Sequence, residues 1–268
     1  VMNTRPDISD DGASRREYRV EKGSIEFRNV SFRYFKNVGA PVLDDVSVKM
    51  EPGEFVGIIG STGSGKSTFV SLIPRLYDPD AGEVLVDGID VKELSLHELR
   101  ESVAVVLQKN TLFSGTIAEN LRWGNEEASD EELEEVCRIA QADSFIRSFP
   151  DGYETQIGQG GGNLSGGQKQ RLCIARALLK KPKIMILDDS TSAVDTATDA
   201  SIRRAFGTQL SHVTRLVIAQ RISSVMDADK ILVMDEGHLA ACGTHEELIQ
   251  SCTAYQEIYY SQKEEGHE

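Results

Sequence analysis

No apolar stretch of the 268 residues approaches the ~20 that a membrane-crossing helix needs. The opening residues are no signal segment either, being polar and charged with Pro6, Asp7, Asp10, Asp11 and Gly12. The four cysteines, Cys137, Cys173, Cys242 and Cys252, form no C-x-x-C pair, which argues against a thiolate metal cage or a disulfide framework and fits a reducing compartment. Basic residues are scarce: 29 Lys plus Arg stand against 43 Asp plus Glu, a net charge of -14. A chain so acidic repels polyanions in the mean, so no nucleic-acid partner is expected. No internal repeat is present, and no low-complexity tract beyond an acidic tail. What remains is enough length for one large domain or two small ones, either able to bury a core.

Strand signals run through 24–32 (Ile25, Phe27, Val30, Phe32), 42–50 and 55–59, the last a β-branched run that enters a glycine loop. Helical spacing follows over 66–76 and stops near Pro79, Asp80 and Gly82. Ser129 with Asp130, Glu131 and Glu132 opens a helix predicted over 129–142, striped by Leu133, Val136 and Ile139. A second helix is predicted over 165–179. Buried-strand runs occupy 183–188, 214–219 and 230–234, the last turning at Asp235-Glu236-Gly237. Strands alternating with helices predict an α/β fold with a mostly parallel sheet covered on both faces. The helix-rich stretch 112–180 reads as an inserted subdomain, 1–22 as a linker and 263–268 as an acidic tail. Val1 in place of Met is what a piece cut from a longer protein would show.

The glycine loop is Gly60-Ser61-Thr62-Gly63-Ser64-Gly65-Lys66-Ser67-Thr68. Strand, glycine loop and helix in that order form the context of a phosphate loop. Gly60, Gly63 and Gly65 permit tight turns and close backbone approach, and their amides with the following helix N-terminus make an anion cradle. Lys66 would neutralise β/γ-phosphate charge and the Ser67 hydroxyl would ligate Mg²⁺. A glycine-rich turn with an incidental lysine is the plainer alternative, and nine matching residues after an apolar strand weigh against it. Asp188, closing Ile184-Met185-Ile186-Leu187, is a candidate for the acid that holds Mg²⁺ through water; alone, such an Asp would more often cap a helix.

The run Leu164-Ser165-Gly166-Gly167-Gln168, placed between that loop and Asp188, gives the chain its resemblance to the nucleotide-binding domain of an ABC ATPase, over residues 24 to 260. The resemblance implies a P-loop NTPase core with an N-terminal antiparallel β subdomain and an inserted helical subdomain, and ATP with Mg²⁺ as cofactors. It implies that Gln108, after the apolar run 103–107, is the Q-loop residue that senses Mg²⁺ and the attacking water, and that Tyr34 stacks on adenine. In this family the Leu164–Gln168 signature closes over the ATP of a second nucleotide-binding domain, and Asp195, in Ser192-Ala193-Val194-Asp195, matches the D-loop that touches that partner. Leu112-Phe113-Ser114-Gly115-Thr116-Ile117-Ala118-Glu119-Asn120 and Gly243-Thr244-His245-Glu246-Glu247-Leu248 resemble multidrug-type exporters. That likeness implies a second partner, the transmembrane domain of the same half-transporter, and a place on the cytoplasmic face of the cell membrane.

The chain also departs from the family pattern. Where the family carries a catalytic Glu after the Mg²⁺-associated Asp, Asp189 stands here, its oxygens retracted by roughly 1 Å; such a misplacement costs about 10²-fold in rate. Where the family expects a His against the γ-phosphate, Ile218-Ala219-Gln220-Arg221 offers Gln220, which hydrogen-bonds but carries no proton or charge. None of His97, His212, His238, His245 or His267 occupies that position. Gly158-Gln159-Gly160-Gly161-Gly162 replaces the Gly-Glu-Arg-Gly-like X-loop of exporters. The pattern resembles the degenerate-site half of a heterodimeric exporter. Two alternatives stay open: a fully hydrolytic homodimeric exporter ATPase, and a soluble ABC ATPase of DNA repair or translation. Six apolar segments encoded upstream would separate the exporters from the latter.

Overall fold

The computed structural model describes residues 8–35, 39–188 and 194–265. In chain order, strands β1 (Ile25–Phe32), β2 (Leu43–Met50) and β3 (Phe55–Gly60) lead into helix α1 (Lys66–Leu72). Then come β4 (Ala81–Val86), β5 (Ile89–Asp90), α2 (Leu96–Ser102), β6 (Val103–Val106) and β7 (Gly115–Thr116). A helical stretch follows: α3 (Ile117–Arg122), α4 (Asp130–Ile139), α5 (Asp143–Ile146), the short β8 (Gln156–Ile157) and α6 (Gly166–Leu179). The chain closes with β9 (Ile184–Asp188), α7 (Thr196–Gln209), β10 (Thr214–Ile218), β11 (Lys230–Asp235), β12 (His238–Gly243), α8 (His245–Ser251) and α9 (Thr253–Glu265).

The six-stranded sheet has the order β12-β11-β3-β10-β9-β6, parallel throughout except for β12 on its edge. The antiparallel sheet β2-β1-β4-β5 covers one of its faces. Alternation along the strands decides which core each side chain enters. Ile184 and Ile186 of β9 join the core shared with the antiparallel sheet and α1, whereas Met185 and Leu187 join the core beneath α3, α4, α6 and α7. Phe69 of α1 stacks on Phe27 of β1 at 4.1 Å between centroids and 21° between planes, so α1 is clamped between the two sheets. Both rings are buried, and truncating either to Ala would cost about 3–5 kcal/mol.

The α/β fold class expected from the strand and helix pattern is the one observed, antiparallel subdomain and helical insertion included. Two helices are shorter than their periodicity suggests. α1 stops at Leu72 because Pro74 follows and Arg75 is left-handed (φ 50°). α4 stops at Ile139, before Gln141 turns left-handed (φ 56°). Residues 8–22, expected as linker, lie against the domain: Asp10 accepts from the Leu96 amide, Val20 is buried, and the Asp87 carboxylate accepts from the amides of Glu21, Lys22 and Ser24.

Candidate functional site

The parallel register carries four strand ends to one edge of the sheet. Ile218 of β10 lies opposite Ile58 of β3 and Asp188 of β9, and Leu187 lies opposite Val106 of β6. Gly60, Gln220, Asp188 and Gln108 therefore stand at or just past the carboxyl ends of neighbouring strands, where open α/β sheets take their ligands.

Gly60 is tight against β11: a Cβ there would meet the Met234 carbonyl oxygen. Gly65 takes φ 96° as the residue before α1, and a Cβ on it would lie 2.7 Å from the Val42 carbonyl oxygen. Only glycine fits both places. No side chain caps α1, so its first amides point from the helix start without that competition. The Lys66 ammonium donates to the carbonyl oxygens of Gly60 (2.9 Å) and Ser61 (2.6 Å) and to Ser64 Oγ (3.3 Å), lying along the loop it would share with phosphate. Ser67, the next residue, is exposed, and Asp188 is half-buried. A hydroxyl and a carboxylate at one sheet edge are the hard oxygen donors Mg²⁺ accepts alongside phosphate and water. Among the described residues no group of three or more His, Cys, Asp or Glu forms a metal cage.

Tyr34 is half-exposed, packs edge-on against Phe32 (5.0 Å) and Tyr77 (5.2 Å), and its hydroxyl is 2.9 Å from Thr68 Oγ1. The ring expected to stack on adenine is thus tied to the last residue of the phosphate loop. Gln108 is exposed after β6, and its carbonyl accepts from the Asn110 side chain at 3.4 Å. Gln220 is exposed after β10. Asp189, Ser192 and Ala193 lie outside the described residues.

The Leu164–Gln168 run sits elsewhere, at the start of α6. Leu164 is buried under the helical core. Ser165 is the N-cap: its Oγ accepts from the Gln168 amide (3.2 Å) while Gln168 Oε1 accepts from the Ser165 amide (2.9 Å), a reciprocal capping box. A hydroxyl that accepts retains its own proton to donate. Arg171 braces this end, donating to the Gly167 and Gln141 carbonyls and lying 4.7 Å over the Phe145 ring. Asp195 caps α7, its carboxylate accepting from the amide and hydroxyl of Thr198, and those bonds hold its pKa below the usual range.

Sequence reading missed an apolar face beside Gln108. Phe113 stacks on Trp123 at 4.5 Å, both exposed, next to exposed Val105 and Leu107, along a groove of about 320 Å³ that reaches Arg176 and Lys180. The segment 112–120 is itself held by buried Asn120, which exchanges hydrogen bonds with the Phe113 backbone, and by the Thr116–Glu119 capping box. Cys137 is buried and its thiol pushed up to about 12, so it is no reactive thiolate.

A glycine loop closed by lysine at the carboxyl edge of this sheet defines a P-loop nucleotide-binding fold. The particular family follows from likeness to known proteins. The family model described as ABC transporter matches residues 43–192. A Bacillus subtilis protein described as an uncharacterized ABC transporter ATP-binding protein is 45% identical over 95% of this chain and 44% of its own length. The ATP-dependent lipid A-core flippase of Chromobacterium violaceum is 44% identical over 95% of this chain and 43% of its own. The structure of a bacterial Atm1-family ABC exporter with ATP bound superposes with a TM-score of 0.89 at 37% identity, over 94% of this chain and 44% of that one. The chain belongs to the ABC transporter family of ATPases, and it spans less than half the length of the relatives it matches.

Proposed function

We propose that this chain is the ATP-binding domain of an ABC exporter, coupling ATP binding and hydrolysis to export through the transmembrane domain of its own half-transporter. The observation that carries this reading is the gathering of Gly60–Thr68, Asp188, Gln220 and Gln108 at one sheet edge, with a separate Leu164–Gln168 helix start available to another chain's nucleotide. Bound nucleotide supplies the phosphate charge and Mg²⁺ its polarisation of the γ-phosphate. This chain supplies the cradle of loop amides, the Lys66 ammonium, the Ser67 and Asp188 oxygens, and the Tyr34 ring for adenine. Relatives described as a flippase and as putative multidrug export proteins support the exporter class. No helix among the described residues is long and apolar enough to cross a membrane. The Phe113–Trp123 face beside Gln108 is where the transmembrane domain would seat, on the cytoplasmic side of the membrane.

The site on this chain is degenerate in this reading. Asp189 falls short of an attacking water and Gln220 brings no charge to the γ-phosphate, while Ser165 and the Gly166 and Gly167 amides complete the hydrolytic site of a partner chain in a heterodimer. The test is the double variant Asp189→Glu with Gln220→His. Its ATP turnover should exceed that of the wild-type chain by about 100-fold, the cost of a misplacement near 1 Å. Turnover by the wild-type chain as fast as by an active double variant would overturn the degenerate site and favour the competent homodimer, since this chain carries both a phosphate loop and a signature.

A further inference from the structure

The segment after β10 is gripped from outside the phosphate-facing edge. It opens with exposed Gln220 and Arg221 and continues into a 3₁₀ turn at Ile222–Ser224. α9 lies across it. Gln262 spans the backbone there: its Nε2 donates to the Gln220 carbonyl oxygen at 2.6 Å and its Oε1 accepts from the Ile222 amide at 2.9 Å. One carboxamide thus satisfies the acceptor and the donor that flank Arg221, as an adjoining β-strand would, and the two partners fix which end of the amide is nitrogen. The side chain stands on a rigid base. Tyr255, earlier on α9, is fully buried with its hydroxyl 2.7 Å from His245 Nδ1. Ile258 and Tyr259 pack against the core that contains Ile222 and Val225.

We infer that Gln262 is a positioning residue for the γ-phosphate contact of Gln220, so that α9 sets how well this site tells ATP from ADP. The inference rests on the proposed ATP site and deepens it: only a nucleotide with a γ-phosphate profits from a correctly held 220–222 backbone. A loop released from Gln262 spends less time in the binding-competent arrangement, and apparent affinity falls by that fraction. ADP, which ends short of Gln220, is indifferent to the clamp.

The experiment measures MgATP and MgADP affinities of the 268-residue chain by calorimetric titration, with amide exchange read at Ile222. Gln262→Ala should weaken ATP roughly tenfold, leave ADP unchanged and speed exchange at Ile222, as loss of both hydrogen bonds to the 220–222 backbone predicts. Gln262→Glu keeps an acceptor for the Ile222 amide but sets a carboxylate oxygen against the Gln220 carbonyl in place of the donor, so it should weaken ATP at least as much as Gln262→Ala. A purely structural role would lower both nucleotide affinities together with the melting temperature. A wild type that prefers ATP, with both variants keeping its ATP-to-ADP ratio, overturns the clamp alone. A wild type that binds neither nucleotide overturns the ATP-site reading and the clamp with it.

Discussion

Two helix starts in this molecule face the same electrostatic problem and solve it differently. α1 begins after Gly65 with no side-chain cap, its loop spanned by the Lys66 ammonium and by a Ser64–Ser61 backbone hydrogen bond. α6 begins at Ser165 with a complete capping box that serves the amides of Ser165 and Gln168 internally. An uncapped start behind a glycine loop is already arranged for an anion, because its amides gain partners when phosphate arrives. A capped start is stable by itself and offers only the Gly166 and Gly167 amides and a hydroxyl proton. On the proposed reading, the first holds a nucleotide within this chain and the second is pressed onto one held by a partner.

Removing the key charge tests that difference most strongly. Lys66→Ala should lower MgATP affinity by roughly 10- to 100-fold, the range of a lost charge-assisted contact. Ser165→Ala should leave the affinity of the separate chain unchanged. An equilibrium titration in which both variants weaken binding alike would break the comparison.

Stability should move the other way. Ser165→Ala forfeits a cap and should cost about 1 kcal/mol in urea unfolding. Gly65→Ser would supply a hydroxyl of the favoured capping kind at α1 and still destabilise the chain. Its Cβ would stand 2.7 Å from the Val42 carbonyl oxygen, on a backbone at φ 96° that side chains rarely adopt. A stabilised Gly65→Ser variant would show that α1 lacks a cap by accident and not for close approach.

How much of this is visible in the amino-acid string depends on the range of the interaction. The phosphate loop is legible because strand, glycines, lysine and helix are contiguous, and the α/β class follows from alternating strand and helix runs. The α6 start is legible as a motif, but the commitment of the Gln168 side chain to the Ser165 amide is a rotamer choice that the letters leave open. The early end of α1 depends on Pro74, which the string shows but the apolar spacing runs past, and on the left-handed Arg75, which the string does not show. Nothing in the local sequence marks Phe113 and Trp123 as exposed; tertiary packing leaves them so. Gln262 meets Gln220 across 42 positions, a pairing with no local trace.

The smallest expected effect sharpens the α1 side. Tyr34 reaches the phosphate loop in two ways: as a ring beside Tyr77 and Phe32, and as a hydroxyl 2.9 Å from Thr68 Oγ1. Tyr34→Phe keeps the ring and removes the tie, so ATP affinity should drop only two- to threefold, less than a full hydrogen bond, because the edge-on contacts still orient the ring. Tyr34→Ala removes the stacking surface as well and should cost about 1–3 kcal/mol of binding, as base–aromatic stacking does elsewhere. The order matters more than the sizes. If Tyr34→Phe and Tyr34→Ala weaken ATP equally, the hydroxyl bond to Thr68 is the whole contribution, and Tyr34 shapes the phosphate loop without touching the base. If neither changes affinity, adenine lies away from this aromatic cluster and the uncapped α1 start, with Lys66, holds the nucleotide by its phosphates alone.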